Sequence, residues 1–272
     1  MTLLGAVEIR EIAAKLNLRP SKGLGQNFVI EPNACQKIVN EIGLNGSETV
    51  LEIGPGLGSL TLAILETGAE VIAVEIDSRL AAELPITAKR HNLNAKLTVM
   101  NQDAQTVELL PKDPKYLIAN LPYNVSVPVL LNVLEKFPTI KKGIVMVQSE
   151  VADRLCAKPN SKDYGVPSIK VSWWADTESA GMVSRKIFWP IPNVDSKLVK
   201  FERHAEPNFD RQKVFRLIDA AFNKRRKMLR VALAEILGKS AAKIIESAGV
   251  DSTLRGEALS LSQFCQIASK SH

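Results

Sequence analysis

The chain has 272 residues, 46% hydrophobic and 24% charged, enough to bury a real core as one large domain or as a larger and a smaller one. No apolar run approaches the roughly 20 residues of a membrane span, and Glu8, Arg10 and Glu11 break the opening segment, which speaks against a secretion signal. A net charge of +6 hints at a polyanionic partner, while Cys35, Cys156 and Cys265, odd in number and without His or Cys at ligand spacing, fit free thiols in a reducing cytosol better than a disulfide frame or a metal site.

Glu8 to Leu18 has helical spacing and stops at Arg19-Pro20. Ser21 to Val29, rich in glycine and amide side chains, reads either as a surface loop or as a flap whose Asn27 and Val29 backbone closes over a small molecule. Thr49 to Ile53 is a strand that runs into Gly54-Pro55-Gly56-Leu57-Gly58, where the apolar period changes from strand to helix. Strand, glycine turn and helix make the first half of a nucleotide-binding βαβ unit, with Gly54 and Gly56 allowing close approach of a ligand to the backbone. A glycine triplet alone is weak evidence. The second strand, Ala69 to Val74, ends in Glu75-Ile76-Asp77, about twenty residues on, where a carboxylate can accept from ribose hydroxyls. The two features together point to an adenosine-containing ligand.

A third strand, Lys96 to Met100, leads to Asp103, placed either to accept from an adenine amino group or simply to form a turn. Tyr116 to Ala119 is a short buried strand that delivers Asn120-Leu121-Pro122-Tyr123 to its carboxyl end, where open α/β sheets bind ligands. Such a run is often only a turn. It also suits chemistry on an exocyclic amine, whose lone pair is delocalised into the ring. Hydrogen bonds from the amine to the Asn120 side-chain oxygen and to the Leu121 carbonyl favour a pyramidal nitrogen and free that lone pair. Pro122 restricts the preceding residue and so aims its carbonyl, and Tyr123 offers a flat face for a base.

Val127 to Phe137 reads as a helix, Gly143 to Gln148 as a strand, Ser149 to Cys156 as a helix, and Ile169 to Trp174 as a further strand whose Trp173-Trp174 pair reads as sheet packing in preference to a base-stacking platform. Phe188 to Ser196 is stiffened by two prolines, and Phe188 either covers the second face of a flipped base or closes the core. The last strand is Lys197 to Phe201. This alternation predicts an α/β fold, a doubly wound and mostly parallel sheet. From His204 the pattern is helical, with one apolar stripe from Val214 to Leu237 and, inside it, Lys224-Arg225-Arg226-Lys227. Runs of this kind are usually solvated faces; Arg225 falls in a gap of the stripe, where it snorkels or reaches a phosphate. Ser260 to Gln263 has the spacing of a capping box. The expected domains are 1–203 and a smaller, all-helical 204–272.

Taken as a set, these segments resemble the small-subunit ribosomal RNA adenine-N6,N6-dimethyltransferases. The matching motifs are Lys22-x-Leu24-Gly25-Gln26-Asn27-Phe28, Glu52 to Gly58, Glu75-Ile76-Asp77, Gln102-Asp103-Ala104, Asn120 to Asn124, Phe188-x-Pro190-x-Pro192-x-Val194-Asp195-Ser196 and Phe222-Asn223-x-Arg225-Arg226-Lys227. The resemblance implies a Rossmann-like class I methyltransferase fold, with S-adenosylmethionine as donor and no metal. The donor is held at Asn27, Val29, Gly54, Gly56, Glu75, Asp103 and Asn120, with Asn120 to Tyr123 catalytic. It further implies two adjacent adenines near the 3′ end of small-subunit (16S) rRNA as acceptors, in a pre-ribosomal particle late in assembly. The expected enzyme is a cytoplasmic monomer, away from membranes, whose helical domain meets RNA through Lys224, Arg225, Arg226 and Lys227, with Phe188 on the target base. Val29, Ser149 and Arg230 depart from the commoner Leu, Lys and Asn. A large-subunit rRNA dimethyltransferase, a noncatalytic assembly factor and a nicotinamide dehydrogenase are the competing readings, in that order.

Overall fold

A computed structural model describes residues 3–19 and 26–271. The expected stop at Pro20 and the 21–25 portion of the flap lie outside the described residues. In chain order the elements are α1 (Ala6–Lys15), β1 (Phe28–Val29), α2 (Pro32–Asn40), β2 (Thr49–Ile53), α3 (Ser59–Glu66), β3 (Glu70–Glu75), α4 (Ser78–Arg90), β4 (Leu97–Asn101), β5 (Tyr116–Asn120), α5 (Ser126–Lys136) and β6 (Lys142–Gln148). Then follow α6 (Ser149–Cys156), α7 (Val166–Val171), β7 (Ala175–Val183), β8 (Phe188–Trp189), β9 (Ser196–Arg203), α8 (Arg211–Asn223), α9 (Leu229–Ala232), α10 (Ala234–Leu237), α11 (Ala241–Ser247) and α12 (Leu261–Lys270).

Seven strands form one sheet in the order β4-β3-β2-β5-β6-β9-β7. The ladders from β4 through β6 are parallel and β9 joins β6 antiparallel. The central strands are largely apolar in their middles because both faces are covered: Val50 and Leu51, Val71 to Val74, Leu117 to Ala119 and Ile144 to Val147 are all buried. The order reverses between β2 and β5, and at such a switch point the strand carboxyl ends diverge and leave a crevice. The fold class expected from the alternating elements is the one observed.

Two compact units emerge, one of 1–152 with 178–203 and one of 153–177 with 204–272. The helical unit thus takes in 153–177 as well as the C-terminal segment.

Two expectations are corrected. Residues 169–174 are not a strand: α7 ends at Val171, and the next strand begins only at Ala175. Pro167 sits in the first turn and the Ser168 hydroxyl accepts from the Gly165 N–H at 3.1 Å, which together start a helix where apolar content alone suggested a strand. Trp173 and Trp174 are buried edge-on against Phe215, with ring centroids 5.7 Å away in each case. The apolar stripe from Val214 to Leu237 is likewise not one helix, since α8 ends at Asn223 and Lys224 to Lys227 form a turn. Beyond it, Leu229 N–H donates to the Leu254 carbonyl at 2.7 Å and Arg230 N–H to the Ser252 carbonyl at 3.1 Å. Bonds to a distant segment replace the intrahelical ones. The capping box at Ser260 forms as its spacing predicts.

Candidate functional site

The glycine loop between β2 and α3 has Gly54, Gly56 and Gly58 at φ +66°, +59° and +101°. Each lies in the left-handed region, and a Cβ on Gly56 would stand 3.0 Å from the Phe28 ring. The loop keeps bare backbone facing a cavity of about 290 Å³ at the carboxyl ends of β2, β3 and β5, on the scale of a small-molecule site. Asn27, Val29, Gly54, Gly56, Glu75, Asp103 and Asn120 all line it. Residues scattered over nearly a hundred positions are thus brought together.

Glu75 closes β3 and is held on both oxygens. Gly56 N–H donates to Oε2 at 3.1 Å and Asp77 N–H to Oε1 at 2.9 Å. Burial pushes its carboxyl above the ordinary range, against the pull of those two bonds. Asp77 caps α4: its carboxylate accepts from the backbone N–H of Arg79 at 3.0 Å and from the Arg79 guanidinium at 3.0 and 2.6 Å, which holds its pKa low. It also accepts from the Gln26 amide at 3.2 Å, tying the segment before β1 to the start of α4. Asp103 accepts from the Gln105 N–H at 2.8 Å, and the Asn132 amide on α5 fastens the same loop through the Ala104 and Val107 carbonyls.

Asn120 ends β5. Its Nδ2 donates to the Asn27 carbonyl at 3.2 Å, which fixes the amide plane, while its Oδ1 is buried without a hydrogen-bond partner. A buried amide oxygen left unsatisfied is costly unless a ligand satisfies it. The Val29 carbonyl accepts from the Ser59 hydroxyl at 2.6 Å, so that part of its backbone is spent on packing.

Of the remaining sequence candidates, Leu121 is buried, Pro122 lines the cavity, and Tyr123 is half-buried with its hydroxyl 2.9 Å from Ser196 Oγ. Burial raises the Tyr123 phenol above its usual range, so it remains neutral. Phe188 is fully buried in the core cluster and presents no face to a base. Its neighbour Trp189 is half-buried and stacks on Phe28 at 6.2 Å between centroids. In the other unit, Lys224 pairs with Glu235, and Arg225 donates to Glu257 at 2.9 Å and to the Lys162 carbonyl at 3.0 Å. In a gap of the stripe, Arg225 thus makes an ion pair within its own unit while its side chain stays exposed. Arg226 and Lys227 are exposed.

Sequence reasoning assigned no role to Glu52, which lines the cavity while being 1% exposed. Its signal was a lone carboxyl in the otherwise apolar end of β2. It likewise missed Trp189 and the Gln26 to Asp77 bond, which depend on the ring orientation at β8 and on a 51-residue closure.

The cavity fits a donor of the S-adenosylmethionine type on its own chemistry, with glycine backbone at its floor, three carboxyls and an unsatisfied amide oxygen in its wall. Among the described residues no group of His, Cys, Asp and Glu could hold a metal ion, and no helix is long and apolar enough to cross a membrane. A dimethyladenosine transferase from Plasmodium falciparum superposes with a TM-score of 0.77 at 25% identity over 87% of this chain and 94% of its own. The 23S rRNA methyltransferase ErmE, at 24% identity and TM-score 0.65, covers 90% of this chain and 99% of its own and shares the fold. A ribosomal RNA small subunit methyltransferase A from Leifsonia xyli subsp. xyli is 52% identical over 99% of both chains, and one from Streptomyces griseus subsp. griseus is 50% identical over 98% of this chain and 94% of its own. With residues 15–271 matching the family model for ribosomal RNA adenine dimethylase, the chain belongs to that family.

Proposed function

We propose that this enzyme dimethylates N6 of two adjacent adenines near the 3′ end of small-subunit (16S) rRNA. The donor is S-adenosylmethionine, and the enzyme works as a cytoplasmic monomer on a pre-ribosomal particle late in assembly. The observation that carries the reading is the buried, partnerless Oδ1 of Asn120 at the cavity wall. S-adenosylmethionine, when bound, supplies an electrophilic methyl group on a sulfonium centre. Glu75 accepts from its ribose hydroxyls and Asp103 from its adenine amino group, with Gly54, Gly56 and the backbone at Asn27 and Val29 closing around it.

The chain's own part in the reaction is to position and to polarise. Asn120 Oδ1 and the Leu121 carbonyl take the two hydrogens of the target amine and pyramidalise its nitrogen toward the methyl group. Pro122 sets the direction of that carbonyl, and Tyr123 supports one face of the base. Trp189, not Phe188, takes the second face. No general base is needed, because the nitrogen becomes acidic only as its new bond forms. Taking the adenine out of its stack costs a few kcal/mol, less in a loop than in a duplex. The unit of 1–152 with 178–203 serves as the donor-binding domain and the helical unit, with its 204–272 segment, as the RNA-contacting domain, with Arg226 and Lys227 as exposed cations toward phosphate.

The test is labelled methyl transfer onto small-subunit particles that lack the modification, followed by nucleoside analysis and primer extension. N6,N6-dimethyladenosine at two adjacent positions near the 3′ end of the rRNA is the expected product. Label confined to large-subunit rRNA, or no transfer at all, would overturn the reading.

A further inference from the structure

Ser196, the first residue of β9, is fully buried, and its hydroxyl oxygen lies 2.9 Å from that of Tyr123. Neither residue lines the donor cavity, and no step of the proposed methyl transfer uses the Ser196 hydroxyl. Its surroundings are fixed. Ser196 stands opposite Gln148 in the β6 to β9 ladder. The carbonyl of Asp195, just before it, accepts from the Ser149 N–H at 3.0 Å and from the Ser149 hydroxyl at 2.9 Å, and the Asp195 carboxylate accepts from the Arg185 N–H at 2.8 Å. Tyr123 stands instead in a turn, which the Val125 N–H closes onto the Pro122 carbonyl at 3.2 Å. A bond from a fixed strand to the hydroxyl of a half-buried tyrosine restricts both of its side-chain torsions. Strand β6 thereby holds the Asn120 to Tyr123 run at two points. Leu121 N–H donates to the Met146 carbonyl at 3.0 Å, and two residues on, Gln148 pairs with the residue that meets Tyr123. Burial, with the charge of Asp195 adding to it, holds the phenol pKa above its usual range, so the hydroxyl keeps its proton.

The two methyl transfers ask different things of this ring. An unmodified adenine offers two amine hydrogens, one for Asn120 Oδ1 and one for the Leu121 carbonyl. N6-methyladenine offers only one, so stacking carries a larger share of its positioning. From the buried contact between Ser196 and Tyr123 at the anchored start of β9, we infer that Ser196 is a positioning residue for the second methylation, holding the Tyr123 ring where the monomethylated base must stack. The inference rests on the adenine-dimethylation reading. In each transfer the amine nitrogen's electron pair forms the new N–C bond, the electrons of the broken S–C bond stay on sulfur, and one amine proton goes to solvent. The first product therefore keeps one N–H and the second none. Freeing the ring slows the second transfer more than the first, and N6-methyladenosine accumulates.

The experiment is single-turnover methyl transfer from S-adenosylmethionine onto small-subunit particles that lack the modification, with N6-methyladenosine and N6,N6-dimethyladenosine quantified over time. The full-length wild type is compared with Ser196→Ala, Tyr123→Phe and the double variant. Tyr123→Phe keeps the ring and removes the other half of the same bond. The second transfer is expected to slow about fivefold in each single variant, on the scale of one hydrogen bond, and the first by about twofold or less. The double variant should be no slower than either single one, because both changes break one bond. Affinity for S-adenosylhomocysteine, read by calorimetry, should not change, since neither residue lines the donor cavity. Equal slowing of both transfers, an unchanged ratio of mono- to dimethylated product, or additive losses in the double variant would overturn the inference while leaving the dimethylation reading intact. If Ser196→Ala loses affinity for S-adenosylhomocysteine, the product ratio of Tyr123→Phe decides alone: monomethyl accumulation supports the inference and an unchanged ratio overturns it. No dimethyladenosine from the wild type would remove that reading and this inference together.

Discussion

At the scale of single residues, the two ends of the Asn120 amide differ: the nitrogen is tied to the Asn27 carbonyl, while the buried oxygen has no hydrogen-bond partner and is the group proposed to meet the target amine. On the proposed mechanism, removing it takes away an interaction that strengthens as the amine pyramidalises. Asn120→Ala is therefore expected to lower kcat by about 10²–10³-fold, with donor affinity changed only a few-fold. Single-turnover methyl transfer alongside donor titration measures both, and parallel losses in the two would refute the role. Glu52 makes a second prediction, about stability. Its pKa in the folded protein stands above the ordinary value, so the folded state binds the proton more tightly. The stabilisation is full below about 4.5 and is lost as pH rises toward 8. Glu52→Gln should remove that pH dependence and be more stable than the wild type at pH 8 by on the order of a few kcal/mol. Urea unfolding at pH 5 and pH 8 checks it, and an unchanged pH slope would contradict it. Asp77 has the opposite sign: its contribution is full above the ordinary carboxylate value of 3.8 and is lost as pH falls from there through its lowered pKa.

Among elements, the turn from β2 into α3 carries the tightest constraint. Gly58 stands at φ +101° as the N-cap of α3, and a Cβ there would lie 2.8 Å from a methyl of Leu84. The Leu84 methyl can move aside, but the backbone angle cannot be relieved. Gly58→Ala is expected to cost about 1–3 kcal/mol in urea unfolding and to weaken donor binding by tilting α3 against the loop. A neutral change would show that the loop adapts. The same turn was legible beforehand, since strand period, glycine triplet and helix period follow one another directly. The element at 169–174 was not. Two tryptophans and β-branched neighbours imitate a strand, and only Pro167 and the Ser168 hydroxyl on the Gly165 N–H tip the segment into a helix.

For the whole molecule, the proposed division of labour between donor binding and RNA contact suggests a pair of variants with different outcomes. Arg226 and Lys227 are exposed, whereas Arg225 is committed to Glu257 and the Lys162 carbonyl. Replacing Arg226 and Lys227 together by Ala should weaken binding to small-subunit particles and reduce the slope of log affinity against log salt by about 1–2. Arg225→Ala should instead lower the stability of the helical unit, by about 1 kcal/mol for a partly exposed pair screened by solvent, with little change in salt slope. Filter binding across a salt series, with thermal unfolding, separates the two. A salt slope unchanged by the double variant would remove those cations from the RNA interface.

By itself the sequence determined the parallel sheet, the glycine turn, the acidic end of β3 and the Asn-Leu-Pro-Tyr run. Each is written in local period or in neighbouring residues, and local rules suffice to read it. Tertiary structure alone decided which candidates share a wall: that Glu52 faces the cavity, that Phe188 is spent on the core while half-buried Trp189 stacks on Phe28, and that Arg225 turns to Glu257. Those outcomes depend on partners far away in the chain, as Glu257 is from Arg225 and Phe28 from Trp189. Burial and pairing are properties of such closures. A pattern read along the chain marks where a charge or an aromatic ring occurs, and only the packed molecule settles whether water, a neighbour or a ligand meets it.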